Sequence, residues 1–548
     1  MSNADAPFLD GSTFDKFFRK MKQISQEYFN ETVQSNMELF DLSLDEAIEE
    51  TVDTFLIEGV DLSNIVKEMP KYKAGHPGED LVKRLQQTEL QDQEFLSTVE
   101  SLKAISTQSL AHRKLLAECG LLDLLFSSVS RCISLSETSL AVRVLDLLAN
   151  VITGQSHLLN TGERSKHLLV ILQLLKGYLK QPQQLLNAPD QMELVRSMYV
   201  LLRQCCLENE TKRQEVTGTG IIQDTTSMLT SLNFSMTTNP HLTSQCQLLH
   251  DACTFIRSMT IDDDMSVEFG QGSVNARNIA SDKTVIESFV RLANDALKLE
   301  STEPISDLFH TLSAVLTREE FCCQAADFGV TDLVFNTLLN HLSNCSLTSA
   351  CLALLRTLCG SDTCKRLAGS WTSTISVNNP NKTPITGPQL IISAMERYIK
   401  NPIIAKQSAF AMAAITLRQP EFAERFVSCG APEILSKALQ LHMSNSGTVR
   451  AVCVAIRNCV SRSPELRAAF VGSGCISNSS AASNREVFME HDPFELETLL
   501  NSALKIRDSS DEAKAALRDL GCKVELKERW RGGLNSKKPS CGAEISTT

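Results

Sequence analysis

The stretch ERFVSCGAPEILSKAL, Glu424 to Leu439, decides the fold. A charged helical turn runs into a small residue and Gly430, and an apolar residue then opens a second helix. Glycine there suits the left-handed position that ends one helix. Pro432 suits the first turn of the next. The element recurs as HRKLLAECGLLDLL (His112 to Leu125), KRQEVTGTGIIQDTTSML (Lys212 to Leu229), CCQAADFGVTDLVFNTLL (Cys322 to Leu339), CKRLAGS (Cys364 to Ser370) and RAAFVGSGC (Arg467 to Cys475). Its glycines are Gly120, Gly220, Gly329, Gly369, Gly430 and Gly474.

Upstream of these glycines lie apolar helical patterns. They are Ser139 to Ile152, Val195 to Cys206, His250 to Met259, Leu308 to Leu316, Thr348 to Cys359, Gln407 to Leu417 and Gly447 to Val460. They align on one column: Asn150, Gln204, Ser258, Ala314, Thr357, Ala414 and Asn458. The next glycine follows after 12 residues (Gly162, Gly270, Gly369), 15 (Gly329) or 16 (Gly220, Gly430, Gly474). Twelve and sixteen differ by about one helical turn, which keeps an apolar face in place. The shortest repeats run about 42 residues, the range of two- or three-helix solenoid units. Ser/Thr/Asn/Pro-rich inserts at 231–245 and 371–389, and a Ser-rich one at 471–486, are expected as surface loops. No stretch has strand periodicity, so the expected class is an all-α solenoid.

At 548 residues the chain exceeds one ordinary core, which agrees with an array. A 43% hydrophobic and 22% charged composition is that of a folded protein. The net charge of −12 argues against a nucleic-acid partner. From Glu27 to Glu68 there are twelve acidic residues and one basic residue, Lys67, so the rest is nearly neutral. No signal peptide and no membrane-length apolar run is present. The 18 cysteines fall largely inside apolar helical patterns, as reduced core thiols of a cytosolic or nuclear protein.

The N-terminal region differs from the array. Phe14, Phe17, Met21, Ile24, Tyr28, Val33, Met37 and Phe40 stand at helical spacing and predict an amphipathic helix or pair. Ser43 and Glu46 form a capping box for a helix with Ala47, Ile48, Thr51, Val52 and Phe55 on one face, ending at Gly59. Pro70 and Gly75–Gly78 mark a linker. The expected division is an acidic helical extension over 1–75, a solenoid over 76–525 and a polar tail over 526–548.

The acidic helix with EGVDLSNIVKEMP (Glu58 to Pro70), the central repeats, and DEAKAALRDLGCKVELKERW (Asp511 to Trp530) together resemble the family of armadillo repeat-containing protein six. The resemblance covers roughly residues 20–530; its end segments are the specific part. It implies an armadillo-type α-solenoid, a right-handed superhelix without known catalytic activity.

Catalytic and cofactor motifs are missing. There is no P-loop, no H-E-x-x-H and no C-x-x-C. Gly218-Thr219-Gly220 lacks the third glycine and the strand of a dinucleotide site. Cys359 and Cys364 lack the further ligands of a zinc set. The reading is therefore no enzyme, no cofactor and no metal.

In armadillo arrays the third helix of each repeat lines a concave groove, where an asparagine ladder holds an extended peptide backbone. Asn amides donate and accept together. Only Asn150 and Asn458 keep that column; Gln204, Ser258 and Thr357 are polar substitutes, and Ala314 and Ala414 are not. No basic autoinhibitory arm of the importin type is seen. One residue earlier the chain places Arg203, Arg257, Arg356 and Arg457 against Ala149, Ser313 and Ala413. These guanidiniums either form a basic ladder for an acidic partner or pair within the solenoid. The acidic extension is either a solvated cap or a screen over that ladder. The resulting expectation is a non-enzymatic interaction scaffold for acidic or extended protein segments, using Asn150, Arg203, Gln204, Arg257, Arg356, Arg457 and Asn458. The alternative is a regulator, an exchange factor or chaperone, of a nucleotide-binding switch protein.

Overall fold

A computed structural model of the chain describes residues 24, 26–40, 42–57, 60, 62, 65, 67, 77–90, 92–234, 240–299, 302–373, 384–471, 494–506 and 508–524. Two helices form the N-terminal unit, α1 (Gln26–Phe40) and α2 (Leu44–Ile57). Nine more form a continuous row in which each packs on the next. They are α3 (Gln93–Ser106), α4 (Thr138–Ile152), α5 (Pro189–Cys206), α6 (Leu242–Met259), α7 (Glu303–Val315), α8 (Cys345–Leu358), α9 (Pro402–Thr416), α10 (Ser446–Val460) and α11 (Ser510–Leu520). A second layer of helices, such as Leu121–Ser134, Lys283–Ala296 and Ala431–Leu441, packs behind the row. Short connecting helices, such as Leu110–Glu118 and Pro420–Ser428, complete each repeat. The fold is an all-α armadillo-type solenoid. Its apolar side chains form one unbroken core from Val82 to Leu520, because each repeat buries its face only against its neighbours. Among the described residues the one β feature is an isolated bridge, Thr372 to Thr386.

The repeat glycines separate into two kinds. Gly120, Gly220, Gly329 and Gly430 hold φ of 83°, 78°, 80° and 98°, the left-handed turn that the sequence predicts. Gly369 does not. It lies inside the helix Asp362–Ser370, where a Cβ would stand 2.5 Å from the Phe422 ring. Gly162 opens a helix and Gly270 packs against Asp262, so neither is a left-handed stop. The twelve-residue spacing therefore marks close packing or a helix start, and only the longer spacing marks the turn. Gly474 lies outside the described residues.

The third helices begin earlier than the apolar pattern indicates. α6 starts at Leu242, eight residues before the expected His250, and so takes in the end of the 231–245 insert. The missed turns bury Gln245 beside Leu248 and Leu249 and expose Thr243 and Gln247, so polar side chains break the apolar period. At 371–389 the insert ends sooner than expected, because Thr386 and Gln389 form a capping box that opens a helix at Gly387. Residues 472–486 and the 526–548 tail fall outside the described residues.

The N-terminal unit has its own small core, with Phe29, Val33, Ala47 and Phe55 at its centre. Ser43 and Glu46 make the expected reciprocal cap, at 3.0 and 3.4 Å. Phe40 is exposed, and Tyr28 is half-exposed at the edge of this core, with its ring 5.8 Å from that of Phe55. The buried line is Phe29, Val33 and Met37 at i, i+4, i+8, and Tyr28 stands one residue, about 100°, off it. Phe14, Phe17, Met21 and Gly59 lie outside the described residues.

All sixteen cysteines among the described residues are free. Burial pushes the Cys206, Cys253, Cys453 and Cys459 thiols up to about 12, and Cys205 well above its ordinary value. A buried thiol holds little thiolate and is inert. Labelling the native chain with a thiol-disulfide reagent at pH 8 is expected to leave these five unreacted until guanidinium is added. Rapid native labelling of Cys253 or Cys459, read by peptide mass, would contradict that burial.

Candidate functional site

The exposed stripe of the third-helix row carries the chain's polar chemistry. Its residues recur at three or four, so on α5 they are Glu193, Arg196, Val200 and Arg203. A cation on one helix reaches a carboxylate on the next. Lys103 of α3 meets Asp146 of α4 at 3.2 Å, and Ser197 of α5 donates to that same carboxylate. Arg196 donates to Asp251 of α6 at 2.8 Å and to Gln247 at 2.7 Å. His250 and Arg257 of α6 both meet Asp307 of α7, at 2.8 and 3.4 Å. Arg450 of α10 donates to Glu512 of α11 at 2.9 Å, and Arg457 meets Asp519 at 3.5 Å.

This ladder divides the seven expected site residues. Arg257 also donates to the Asp307 carbonyl and the Thr311 hydroxyl, both at 3.2 Å, so its guanidinium is engaged within the solenoid. Arg356 lies 4.4 Å over the Phe410 ring of α9, a cation–π contact. Arg457 faces Asp519, and the Asn458 amide donates to the Ala413 carbonyl at 2.9 Å. Among the described residues, the side chains of Asn150, Arg203 and Gln204 make no ion pair or hydrogen bond; Arg203 is exposed and the two amides are half-buried. The column is thus mostly internal wiring, with open chemistry at the ends of α4 and α5.

The open volume lies elsewhere on the row. A trough of about 670 Å³ crosses the N-terminal halves of α6 and α7, between Arg196 of α5 and Ser346 of α8. Leu242, Cys246, Leu299 and Pro304 supply apolar walls, and Gln247, His250 and Asp307 the polar edge. None of the seven expected residues lines it. Its walls belong to the helical turns that the apolar pattern omitted, so the one available signal was the polar insert preceding α6.

The Asp307 carboxylate, bonded to Nδ1 of His250, holds that imidazole above its ordinary range; burial opposes it. Burial holds His310 below that range, with Arg257 adding to the effect, and raises the Asp251 carboxyl against the pull of Arg196. A raised histidine contributes stability that is full below its unfolded value, about 6.5, and is lost as pH rises through the folded value. The His250 side chain is 57% exposed, so the contribution stays under about 1 kcal/mol. His250→Gln is expected to lower Tm more at pH 5.5 than at pH 8.5. An equal drop at both would remove the pairing as its cause.

Among the described residues no group of His, Cys, Asp or Glu side chains could hold a metal ion. No helix among them is long and apolar enough to cross a membrane.

Residues 21–93 match the family model described as the armadillo repeat-containing protein 6 N-terminal domain. The chain is 28% identical to armadillo repeat-containing protein 6 of Pongo abelii, over 77% of this chain and 78% of that one. It is 28% identical to the Homo sapiens protein over 73% and 75%, and 26% identical to the Drosophila melanogaster homolog over 75% and 80%. Among solved structures, an engineered protein aligns at a TM-score of 0.42 and 15% identity, covering 82% of this chain and all of that one. A structure described by a phosphorylation switch between cadherin and beta-catenin aligns at 0.39 and 12%, covering 90% and 91%. Likenesses that distant define nothing here; the helix packing above defines the fold.

Proposed function

We propose that this chain, similar to armadillo repeat-containing protein 6 along about three quarters of its length, is a non-enzymatic protein-interaction scaffold that binds on its third-helix row. The trough carries the proposal. It spans successive repeats, apolar side chains form part of its walls, and Arg196, Gln247, His250 and Asp307 in its lining are already oriented by partners, which is the make-up of a recognition site. A segment lying in it would bury apolar side chains against Leu242 and Leu299. Its polar groups would meet Gln247 and the His250–Asp307 pair. Arg203 stands on the same face, makes no ion pair or hydrogen bond among the described residues, and offers a fork to a carboxylate. Arg257, Arg356 and Arg457 have partners within the solenoid, so the basic-ladder idea reduces to Arg203. The same holds for screening by the acidic N-terminal helices.

Thr243 lines the trough and is exposed. Thr243→Trp fills it without touching the core. The measurement is quantitative affinity capture from cells with wild type, Thr243→Trp and Arg203→Glu, all with unchanged Tm. Partners lost with Thr243→Trp support binding in the trough, and loss with Arg203→Glu assigns an acidic contact. Identical partner sets for all three would sink this reading. A nucleotide-binding protein among the lost partners, its nucleotide release altered by the chain, would put the regulator reading in its place.

A further inference from the structure

Most large apolar side chains exposed on the solenoid are scattered singly, which needs no explanation. The loop after α6 is different. Met265, Val267 and Phe269 alternate along it and are 46%, 36% and 81% exposed. Phe269 is the most exposed large apolar side chain among the described residues.

The base of this loop is a built structure. Arg213, with no exposed surface, donates to Glu210 at 2.6 Å, to Asp263, and to the Cys206 and Ser258 carbonyls at 2.9 and 3.3 Å. Burial works against its charge and the two carboxylates outweigh that. The loop's other carboxylates take backbone N–H groups: Asp262 from Gly272 at 2.9 Å, Asp264 from Glu210 at 2.9 Å and from Ser266 at 2.9 Å. Glu210 in turn accepts from Gln271 at 2.7 Å. At Gly272 a Cβ would meet the Ile261 carbonyl at 2.5 Å, so the two loop ends are pressed together. A loop fixed this firmly, with its apolar residues outward, has lost its entropy before any contact is made. That lowers the cost of binding.

Its charge selects the occupant. Glu208, Asp262, Asp264 and Glu268 lie in or beside the loop, while Glu210 and Asp263 are paired with Arg213, the cation sunk beneath it. The complement is apolar and basic. One stretch of this chain has that composition: FDKFFRKMK, Phe14 to Lys22, with Phe14, Phe17, Phe18 and Met21 beside Lys16, Arg19, Lys20 and Lys22. It is far shorter than an importin-type arm and differs in carrying phenylalanines. The third-helix row places α6 three packing steps from α3, about 27 Å. The stretch from 66 to 76 alone can span at most about 37 Å, so reach within one chain is available. Tethering gives such a segment an effective concentration of roughly millimolar.

We propose that the loop 261–271 is the docking site for residues 14–22 of the same chain, with the phenylalanines against Met265, Val267 and Phe269 and the lysines on the surrounding carboxylates. This is distinct from the trough, and the two stand or fall separately.

Zero-length carbodiimide cross-linking of the full chain tests it, because that reagent joins an amine to a carboxylate only in direct contact. Cross-links are expected from Lys16, Lys20 or Lys22 to Asp262, Asp264 or Glu268. Lys83, exposed, and Glu79, half-exposed, stand 2.8 Å apart and serve as internal control. Phe269→Ser leaves the core untouched and Tm unchanged, and is expected to lower the cross-link yield about tenfold. Phe17→Ser/Phe18→Ser does the same with every lysine retained, and 1 M salt weakens the contact. Mixing 15N-labelled with unlabelled chains separates the sources. Absence of the cross-link while the control forms overturns the proposal. So does a yield indifferent to Phe269→Ser, or an equal mixture in which about half of the cross-links join a labelled to an unlabelled chain, the share expected when the contact forms wholly between molecules.

Discussion

Replacing Arg213 by Met is expected to cost about 3–5 kcal/mol, because it removes one partner of a buried charge set and leaves the others in place. Glu210 is 3% exposed and Asp263 23%, so neither carboxylate regains full hydration when the guanidinium goes. Two main-chain carbonyls, of Cys206 and Ser258, lose a donor as well. The damage is local, since a repeat depends mainly on its neighbours. Amide exchange over α5, α6 and the 261–271 loop is expected to quicken by orders of magnitude, while α9 and α10 keep their protection. Arg213→Met/Glu210→Gln/Asp263→Asn, which removes the charges together, should recover part of the loss. A single substitution as stable as wild type would show that the charge set is not holding these repeats together.

Gly369→Ala is expected to cost about 3 kcal/mol, the upper end of over-packing. Its Cβ would stand 2.5 Å from the Phe422 ring, a side chain 1% exposed. Gly329→Ala adds a Cβ into open space and suffers only the left-handed φ of 80°, about 1–2 kcal/mol. Asparagine is tolerated better at such a turn, so Gly329→Asn falls below that. The two glycines look alike in sequence and fail for different reasons. A double-mutant cycle separates them. Phe422→Ala alone opens a cavity worth about 3–5 kcal/mol, and Gly369→Ala added to it should then cost little. Full additivity between Gly369 and Phe422 would refute the close contact. Chemical denaturation with exchange over the helices 362–370 and 420–428 reads both.

The glycines also show how far the sequence could be read. A C-terminal turn is a local event, governed by φ at one residue and the helix on either side. Gly120, Gly220, Gly329 and Gly430 were legible for that reason. Gly369 was not, because Phe422 lies 53 residues away in the chain. The third helices were legible where they bury a face. Their first turns, from Leu242 on α6 and Glu303 on α7, were missed because burial there falls partly on polar side chains, Gln245 and Asp307, which interrupt the apolar period.

What the sequence determined by itself was the order of helices, the repeat that stacks them and the column on which the third helices align. Each follows from periodicity and turn chemistry within a few residues. Tertiary structure alone decided which column residues remain open. Arg257 pairs with Asp307 across 50 residues, Arg457 with Asp519 across 62, and Arg356 reaches Phe410 across 54. Arg203 has a similar local pattern and, among the described residues, no such partner. Whether a guanidinium is spent or available depends on what the next repeat presents at the height where it arrives, and that is set by how the helices stack, not by the residues beside it in the chain.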